Sequence, residues 1–463
     1  MGAITFGTDG WRTTLEEFTT PRVRMVGQAV ATYLADEGLE GPVVVGYDAR
    51  ESSRGFAEEL ARVLCTNGFD VLLPQRDRPT PLVAHAIVER DLAGGLAVTA
   101  SHNPPEYNGV KFIPDDGAPA LPEVTDAIAD RLADPDPLPE NEHGTVREVD
   151  LVTPHADAAV ELVESITGDV DLSGLTVAYD AMHGSGRGTT DALLSSAGAS
   201  LEGLRCERDP TFGGGAPEPS PENLTELVGV VTDDGGPELG IANDGDADRI
   251  ALVTPERGFL DENFFFAALY DYLLEDDSGP AVRSVSTTFL IDRVAAAHGE
   301  SVREVPVGFK WVAEAMADGD ALVGGEESGG FTVRGHVREK DGVLIALLAA
   351  AMHAEEPIDD RVDRLLAEHG TVVQDKTSVA CPDHEKARVI GALEERIPDA
   401  VAGTAVEDVN TADGFKLQLA DGSWLLVRPS GTEPVLRVYA EATDGDRVDE
   451  LLGAGEELLE ALV

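Results

Sequence analysis

Along most of the chain, short apolar runs alternate with longer amphipathic stretches, the pattern of buried parallel strands joined by helices. Thr20 and Pro21 offer an N-cap and a first-turn proline for a helix running to about Asp36. Residues 43–48 then read as a buried strand, 56–65 as a helix, 70–73 as a strand and 82–89 as a helix. The apolar run 95–98 closes this first unit. Pro104 and Pro105 forbid a regular helix or central strand after it, so Ser101 is left on a tight turn. Open α/β sheets place their ligands at such turns. The proline- and acid-rich stretch 134–142 is the clearest linker. A second unit follows, with a helix over 153–166, a strand over 175–180, a helix from Thr189, a glycine-proline loop over 210–221 and a strand over 239–243. A third has a helix over 264–274, strands over 282–287 and 321–324, a helix over 291–297 and an apolar helix from Gly342 to about Ala354. From about Gly370 the pattern changes: 415–419 and 424–427 form a hairpin about Asp421-Gly422, and an amphipathic helix over 448–462 ends the chain. The glycine-rich opening, 6–12, reads as a loop.

No exact repeat occurs, but three apolar strands end in functional-looking turns, at Ser101, Asp244 and Glu326. The expected fold is three similar α/β domains with mixed, mostly parallel sheets and a smaller α+β C-terminal domain. The expected boundaries are 1–150, 151–252, 253–368 and 369–463.

Composition narrows the function. The chain carries 34 Lys and Arg against 87 Asp and Glu, a formal net charge of −53 at pH 7. This argues against nucleic-acid and anionic-membrane partners, which share that sign. Molar salt shrinks the screening length to about 3 Å, so the excess points to a halophile's cytoplasmic protein. Cys65, Cys206 and Cys381 are odd in number and form no CxxC pair, which suggests a reducing compartment and no zinc site. The first residues carry no secretory or myristoylation pattern, and no apolar run reaches spanning length. The sequence carries no signal for oligomeric state.

Asp244, Asp246 and Asp248 alternate, and in an extended loop they would point one way and suit a hard divalent cation. An EF-hand is excluded, because Arg249 and Pro255 stand where that template needs Gly and Glu. Arg428, Ser430, Gly431 and Thr432 make a plausible phosphate cradle between strands, without a Walker A pattern. Glu326 and Ser328 on a glycine-rich turn suit sugar hydroxyls. Lys310, one of six lysines, stands beside two aromatics at what reads as a turn.

Together and in this order, the four motifs resemble the α-D-phosphohexomutases: phosphoglucomutases, phosphomannomutases and phosphoglucosamine mutases. The likeness covers nearly the whole chain. Thr99 to Pro104 is similar to the phosphoserine loop, Asp244 to Arg249 to the metal loop, Gly325 to Gly329 to the sugar loop and Arg428 to Pro434 to the phosphate loop. The resemblance implies a phosphoryl group on Ser101, whose oxygen joins Asp244, Asp246 and Asp248 in binding Mg²⁺. It implies Arg12, Lys111 and Arg249 as stabilising cations. A hexose 1-phosphate would become the 6-phosphate through a 1,6-bisphosphate, with glucose 1,6-bisphosphate as activator. The Arg428–Thr432 loop would hold the idle phosphate, and Lys310, Glu326 and Ser328 the sugar. Some relatives end the sugar loop in histidine, where this chain has Gly330. Lys111, His102 and His336 are the alternative bases, with Lys111 favoured. The Glu-Glu-Ser form of the sugar loop is more like glucose enzymes than mannose or glucosamine ones. A metal-dependent sugar phosphatase and a non-catalytic sugar-phosphate sensor are the rival classes.

Overall fold

The computed structural model describes residues 4–462 except Thr8, Asp9, Gly319 and Thr432. Valine-rich runs become central strands because both their faces are covered: Val43–Tyr47 and Gly94–Val98 are buried at every position. The first sheet has the order Trp11–Thr14, Tyr107–Ile113, Gly94–Val98, Val43–Tyr47, Val71–Pro74, Val146–Val149. Its first two strands are antiparallel additions to a parallel core. Trp11 and Arg12 therefore belong to a strand, not to the opening loop expected. The 134–142 stretch is not an interdomain linker either, because Val146–Val149 beyond it returns to the first sheet. It lies along that domain, with the Leu138 amide donating to Thr66 O and the Asp136 amide to Gln28 Oε1.

The second sheet is ordered Gly258–Leu260, Ile250–Thr254, Leu239–Asn243, Thr176–Asp180, Ser200–Leu204, again with a parallel core and antiparallel edge. It continues to Leu260, past the boundary expected at residue 252. The third is Val302–Val305, Ala281–Ser284, Val323–Glu326, Gly330–Val333. The last sheet is wholly antiparallel, running Val373–Ala380, Val435–Ala442, Trp424–Pro429, Phe415–Leu419, Thr404–Asn410, Ala400–Val401. The hairpin about Asp421-Gly422 forms as expected. The fold is three α/β/α domains with mixed sheets and a C-terminal antiparallel domain.

One helix ties the units together. Gly342–Glu355 is apolar all round and buried from Gly342 to His353. It packs on Val152–Thr167, Thr190–Ser196 and Glu262–Leu273, so the second and third domains share a core. Asp341 caps it, accepting from the amides of Val343 and Leu344 at 2.9 and 2.8 Å.

The topology also repeats where function was expected. In each α/β domain a parallel strand turns back into an antiparallel neighbour, and the candidate residues occupy that reversal: Ser101 after Gly94–Val98, Asp244 after Leu239–Asn243, and Glu326 at the end of Val323–Glu326.

Candidate active site

Ser101 adopts the left-handed backbone, with φ 49°, a conformation that costs a non-glycine residue about 1–2 kcal/mol. Its surroundings impose it. The Ser101 amide donates to Thr99 Oγ1 at 2.8 Å, and the buried Arg50 guanidinium gathers the turn's carbonyls. Arg50 Nη2 donates to Ser101 O at 2.9 Å and Asn103 O at 2.6 Å, and Nη1 to Pro104 O at 2.6 Å and Tyr107 O at 3.2 Å. Asp48 anchors Arg50 through Nε at 2.9 Å and also accepts from Ser53 Oγ at 2.5 Å and Thr99 Oγ1 at 2.8 Å. The Phe212 ring, from the second domain, covers the guanidinium at 5.0 Å. Ser101 Oγ donates to Asp244 Oδ2 at 2.8 Å and lies 3.2 Å from His102 Nδ1. The serine and the aspartates thus meet across two domains.

The aspartate loop is a turn, with Ala247 at φ 53°, rather than the extended loop expected. The turn, not strand alternation, brings one carboxylate oxygen of each aspartate within 4.8 Å of the others. A Cβ at Gly245 would lie 2.6 Å from Ser101 O, so only glycine lets the two turns close on each other. Asn243 fixes the turn's base: Oδ1 accepts from Tyr179 Oη and Thr190 Oγ1, and Nδ2 donates to Arg249 O and Gly342 O.

All three carboxylates are buried, at 0%, 0% and 1% exposure. Burial, then the charges of Asp246 and Asp248, drive Asp244 well above the usual carboxylate range. Asp248 Oδ1 is buried without a hydrogen bond among the described residues. An all-oxygen set with excess negative charge and an unsatisfied buried oxygen fits a hard divalent cation.

Cations surround this cluster. Lys111 Nζ lies 2.9 Å from Asp248 Oδ2 and 3.3 Å from Asp246 Oδ2, and Lys340 Nζ lies 3.2 Å from Asp248 Oδ2. The Thr80 hydroxyl donates to Asp246 Oδ2 at 2.7 Å. The Arg249 amide donates to Asp244 Oδ1 at 3.2 Å. Burial, then the nearby Arg249 and Arg12 charges, push His102 well below the usual imidazole range. The ring is therefore neutral at pH 7.

The sugar-loop candidates sit beside these groups. Gly329 O accepts from the Ile250 amide at 2.9 Å, joining the third turn to the strand after the second. Glu326 Oε1 accepts from the Gly308 amide at 2.7 Å. Burial and the Glu327 charge raise Glu326 to about 7, against the pull of Gly308, Lys340 and Arg249. A Cβ at Gly330 would meet Lys340 Cδ at 2.5 Å, so the lysine stem fills the space a side chain there would need. Ser328 is half-buried in the turn. Lys310 is not on a turn; it lies in the first turn of helix Phe309–Asp318, with Nζ 5.6 Å from the Trp311 ring centre. His336 is drawn away into a buried pair with Asp341 at 2.7 Å.

Arg428 pairs with Asp413, Nε to Oδ2 at 2.8 Å, and the same oxygen accepts from the Val307 amide at 3.2 Å. The phosphate-loop candidate is thereby tethered next to the Gly308 that holds Glu326. Ser430 is buried, Gly431 is exposed, and Thr432 lies outside the described residues. Lys386 Nζ holds the loop by donating to Ser430 O and Glu433 O at 2.6 and 2.5 Å.

Sequence reasoning missed Arg50, Asp48, Thr80, Lys340, Asp413 and Lys386 as site residues. Asp48 and Arg50 had a usable signal, since charged residues directly after a buried parallel strand stand where such sheets bind ligands.

Four family models match in order. They are phosphoglucomutase/phosphomannomutase α/β/α domain I over residues 3–138, domain II over 154–258, domain III over 261–369 and the C-terminal domain over 378–454. A Thermococcus kodakarensis protein named phosphoglucomutase/phosphomannomutase is 32% identical, covering 99% of both chains. A Methanopyrus kandleri protein assigned as a phosphoglucosamine mutase is 34% identical over 96% of this chain and 95% of its own. A second T. kodakarensis relative, 33% identical over 96% and 95% of the two chains, is named phosphopentomutase. The crystal structure of a Thermus thermophilus protein assigned as a phosphomannomutase superposes with a TM-score of 0.86 at 31% identity, covering 99% of each chain. The chain belongs to the phosphoglucomutase/phosphomannomutase family of the α-D-phosphohexomutase superfamily and is a phosphotransferase mutase.

Proposed function

We propose that this mutase interconverts hexose 1-phosphate and hexose 6-phosphate, with glucose preferred, through phospho-Ser101 and a 1,6-bisphosphate intermediate. The observation that carries this reading is Ser101 Oγ, held on a strained turn 2.8 Å from Asp244 Oδ2 at the edge of a three-carboxylate cluster. A phosphatase using the cluster alone would have no need of a serine fixed there.

A divalent cation of the Mg²⁺ class, held by Asp244, Asp246 and Asp248, would supply charge that offsets the transferring phosphoryl group. The chain's own residues do the positioning. Arg50 keeps Ser101 aimed. Arg12 and Arg249 bring positive charge near His102, where the phosphoryl oxygens pass. In the transfer, the Ser101 Oγ–P bond breaks as a bond from phosphorus to the sugar hydroxyl forms, while a proton leaves the sugar and one reaches the departing serine oxygen. His102, neutral and 3.2 Å from that oxygen, is the group placed to move the proton. Lys111, 3.3 Å from Asp246 Oδ2 and 2.9 Å from Asp248 Oδ2, serves in this reading as a cation beside the cluster rather than as the base. Glu326, Ser328 and Lys310 take the sugar, and Arg428, Ser430, Gly431 and Thr432 the idle phosphate. After reorientation the second phosphate returns to Ser101.

Glucose is favoured by the Glu326-Glu327-Ser328 form of the loop; the relatives' names span glucose, mannose, glucosamine and pentose substrates. We infer further that the −53 charge fits the chain to a salt-rich cytoplasm. No helix among the described residues is long and apolar enough to cross a membrane.

The test is an assay in molar KCl with Mg²⁺ and a trace of glucose 1,6-bisphosphate as activator. Glucose, mannose, glucosamine and ribose 1-phosphates are offered to wild type and Ser101→Ala. Glucose 6-phosphate formation that collapses in the variant supports the proposal. Inorganic phosphate release untouched by the substitution would overturn it in favour of a phosphatase, and faster turnover of another sugar would reassign the substrate.

A further inference from the structure

A second constellation of metal-binding side chains lies away from the aspartate turn and has no part in the chemistry above. His155, on helix Val152–Thr167, and His336, just after strand Gly330–Val333, both direct Nε2 at one oxygen, Asp341 Oδ2, at 2.6 and 2.7 Å. His85, from helix Thr80–Glu89, stands beside the group: its ring centre lies 5.5 Å from that of His155 and 6.0 Å from that of His336, stacked on the latter. The four residues thus come from three domains and meet at the N-terminus of the central helix. His155 is 1% exposed, Asp341 0% and His85 9%. His85 makes no hydrogen bond with another described residue.

We propose that His85, His155, His336 and Asp341 form a second metal site, for a borderline cation of the Zn²⁺, Co²⁺ or Ni²⁺ class. Three imidazoles and one carboxylate are the donor set such ions prefer, whereas the all-oxygen aspartate turn suits Mg²⁺. Donor atoms of His155, His336 and Asp341 already lie within 4.8 Å of one another, whereas His85, its ring nearly parallel to that of His336, has to turn to bring a nitrogen to them. In a tetrahedral site with bonds of about 2.0 Å, donors stand about 3.3 Å apart. The hydrogen-bonded pairs at 2.6 and 2.7 Å must therefore open by roughly 0.6 Å, within reach of side-chain rotation. Binding exchanges the two Nε2–H···Oδ2 bonds for metal bonds, with each ring proton held on Nδ1 or released to solvent.

An ion here would fasten three domains at one point.

The experiment uses the full chain, stripped with chelator and returned to Mg²⁺-saturated buffer so that the aspartate turn is competed. Titration with Co²⁺ alone should develop visible bands of tetrahedral intensity, saturating at one ion per chain, and Zn²⁺ should displace them and raise the melting midpoint. His85→Gln and His155→Gln should each weaken Co²⁺ binding about 10-fold or more, while Asp248→Asn leaves the bands in place. His85→Gln breaks no hydrogen bond, so its fold is expected to survive, with circular dichroism and mutase activity as the check. Absence of tetrahedral bands in the wild type, or bands lost with Asp248→Asn and kept in both histidine variants, would overturn the proposal.

Discussion

Replacing Arg50 by lysine asks how far the reaction depends on a side chain buried behind the nucleophile. Arg50 is 1% exposed and spends its two terminal nitrogens on the carbonyls of Ser101, Asn103, Pro104 and Tyr107, and Nε on Asp48. Lysine keeps the charge but offers three donors from one point, so it cannot span Asp48 and carbonyls gathered from both sides of the turn. At least two of these bonds are lost. With a charged donor each contributes about 1.5–3 kcal/mol, and breaking a buried ion pair costs about 3–5 kcal/mol. We expect a stability loss of about 3–4 kcal/mol, read as a lower denaturant midpoint. The larger effect is on catalysis. Freed from the fork, Ser101 can relax from φ 49°, and a displacement of about 1 Å at a reacting atom costs about 10²-fold in rate. In a coupled glucose 6-phosphate assay, kcat should fall about 100-fold and KM shift less than about 3-fold, because Arg50 positions the serine and does not bind sugar. Intact-mass measurement should show less phospho-Ser101 after incubation with glucose 1,6-bisphosphate. A folded Arg50→Lys enzyme with kcat within about 3-fold of wild type would refute the clamp.

Other consequences can be measured directly. Glu326 holds its proton up to about pH 7 in the folded chain, against 4.5 when free, so its contribution to stability falls as pH rises through that window and is lowest above it. Glu326→Gln should therefore raise stability at pH 8 by up to about 3 kcal/mol and change nothing near pH 4.5, while lowering kcat/KM; a pH-independent difference would contradict the assignment. In chelator, Asp244→Asn should raise the melting midpoint by relieving the repulsion from Asp246 and Asp248, yet abolish the stabilisation that Mg²⁺ gives the wild type. If Mg²⁺ stabilises both proteins equally, the ion binds elsewhere. With a net charge of −53, the midpoint should climb steadily as KCl rises from about 0.1 M to about 2 M; a flat profile would count against salt adaptation.

What the sequence disclosed follows the range over which each signal acts. Central strands such as Val43–Tyr47 were legible because burial on both faces leaves an unbroken apolar run. The antiparallel returns Tyr107–Ile113 and Ile250–Thr254 were not, since each begins just beyond a polar turn that masks its start. Helix Phe309–Asp318 was mistaken for a turn because Gly308 precedes it. Ser101 and the three aspartates stood out because their chemistry is local. Arg50 and Thr80 did not, because their partners lie 51 and 166 residues away, and no local pattern encodes that pairing. Convergence came from topology: three sheets each turn a parallel strand back on itself, and the three reversals close on one another. The same logic explains Lys340. Its ammonium reaches Asp248 because residue 330 has no side chain to block the stem. A glycine in place of a functional group therefore admits another from the segment that leads into helix Gly342–Glu355. The loop and the lysine have to be read as one unit, and replacing Gly330 should displace the Lys340 ammonium from Asp248 before it affects the sugar loop itself.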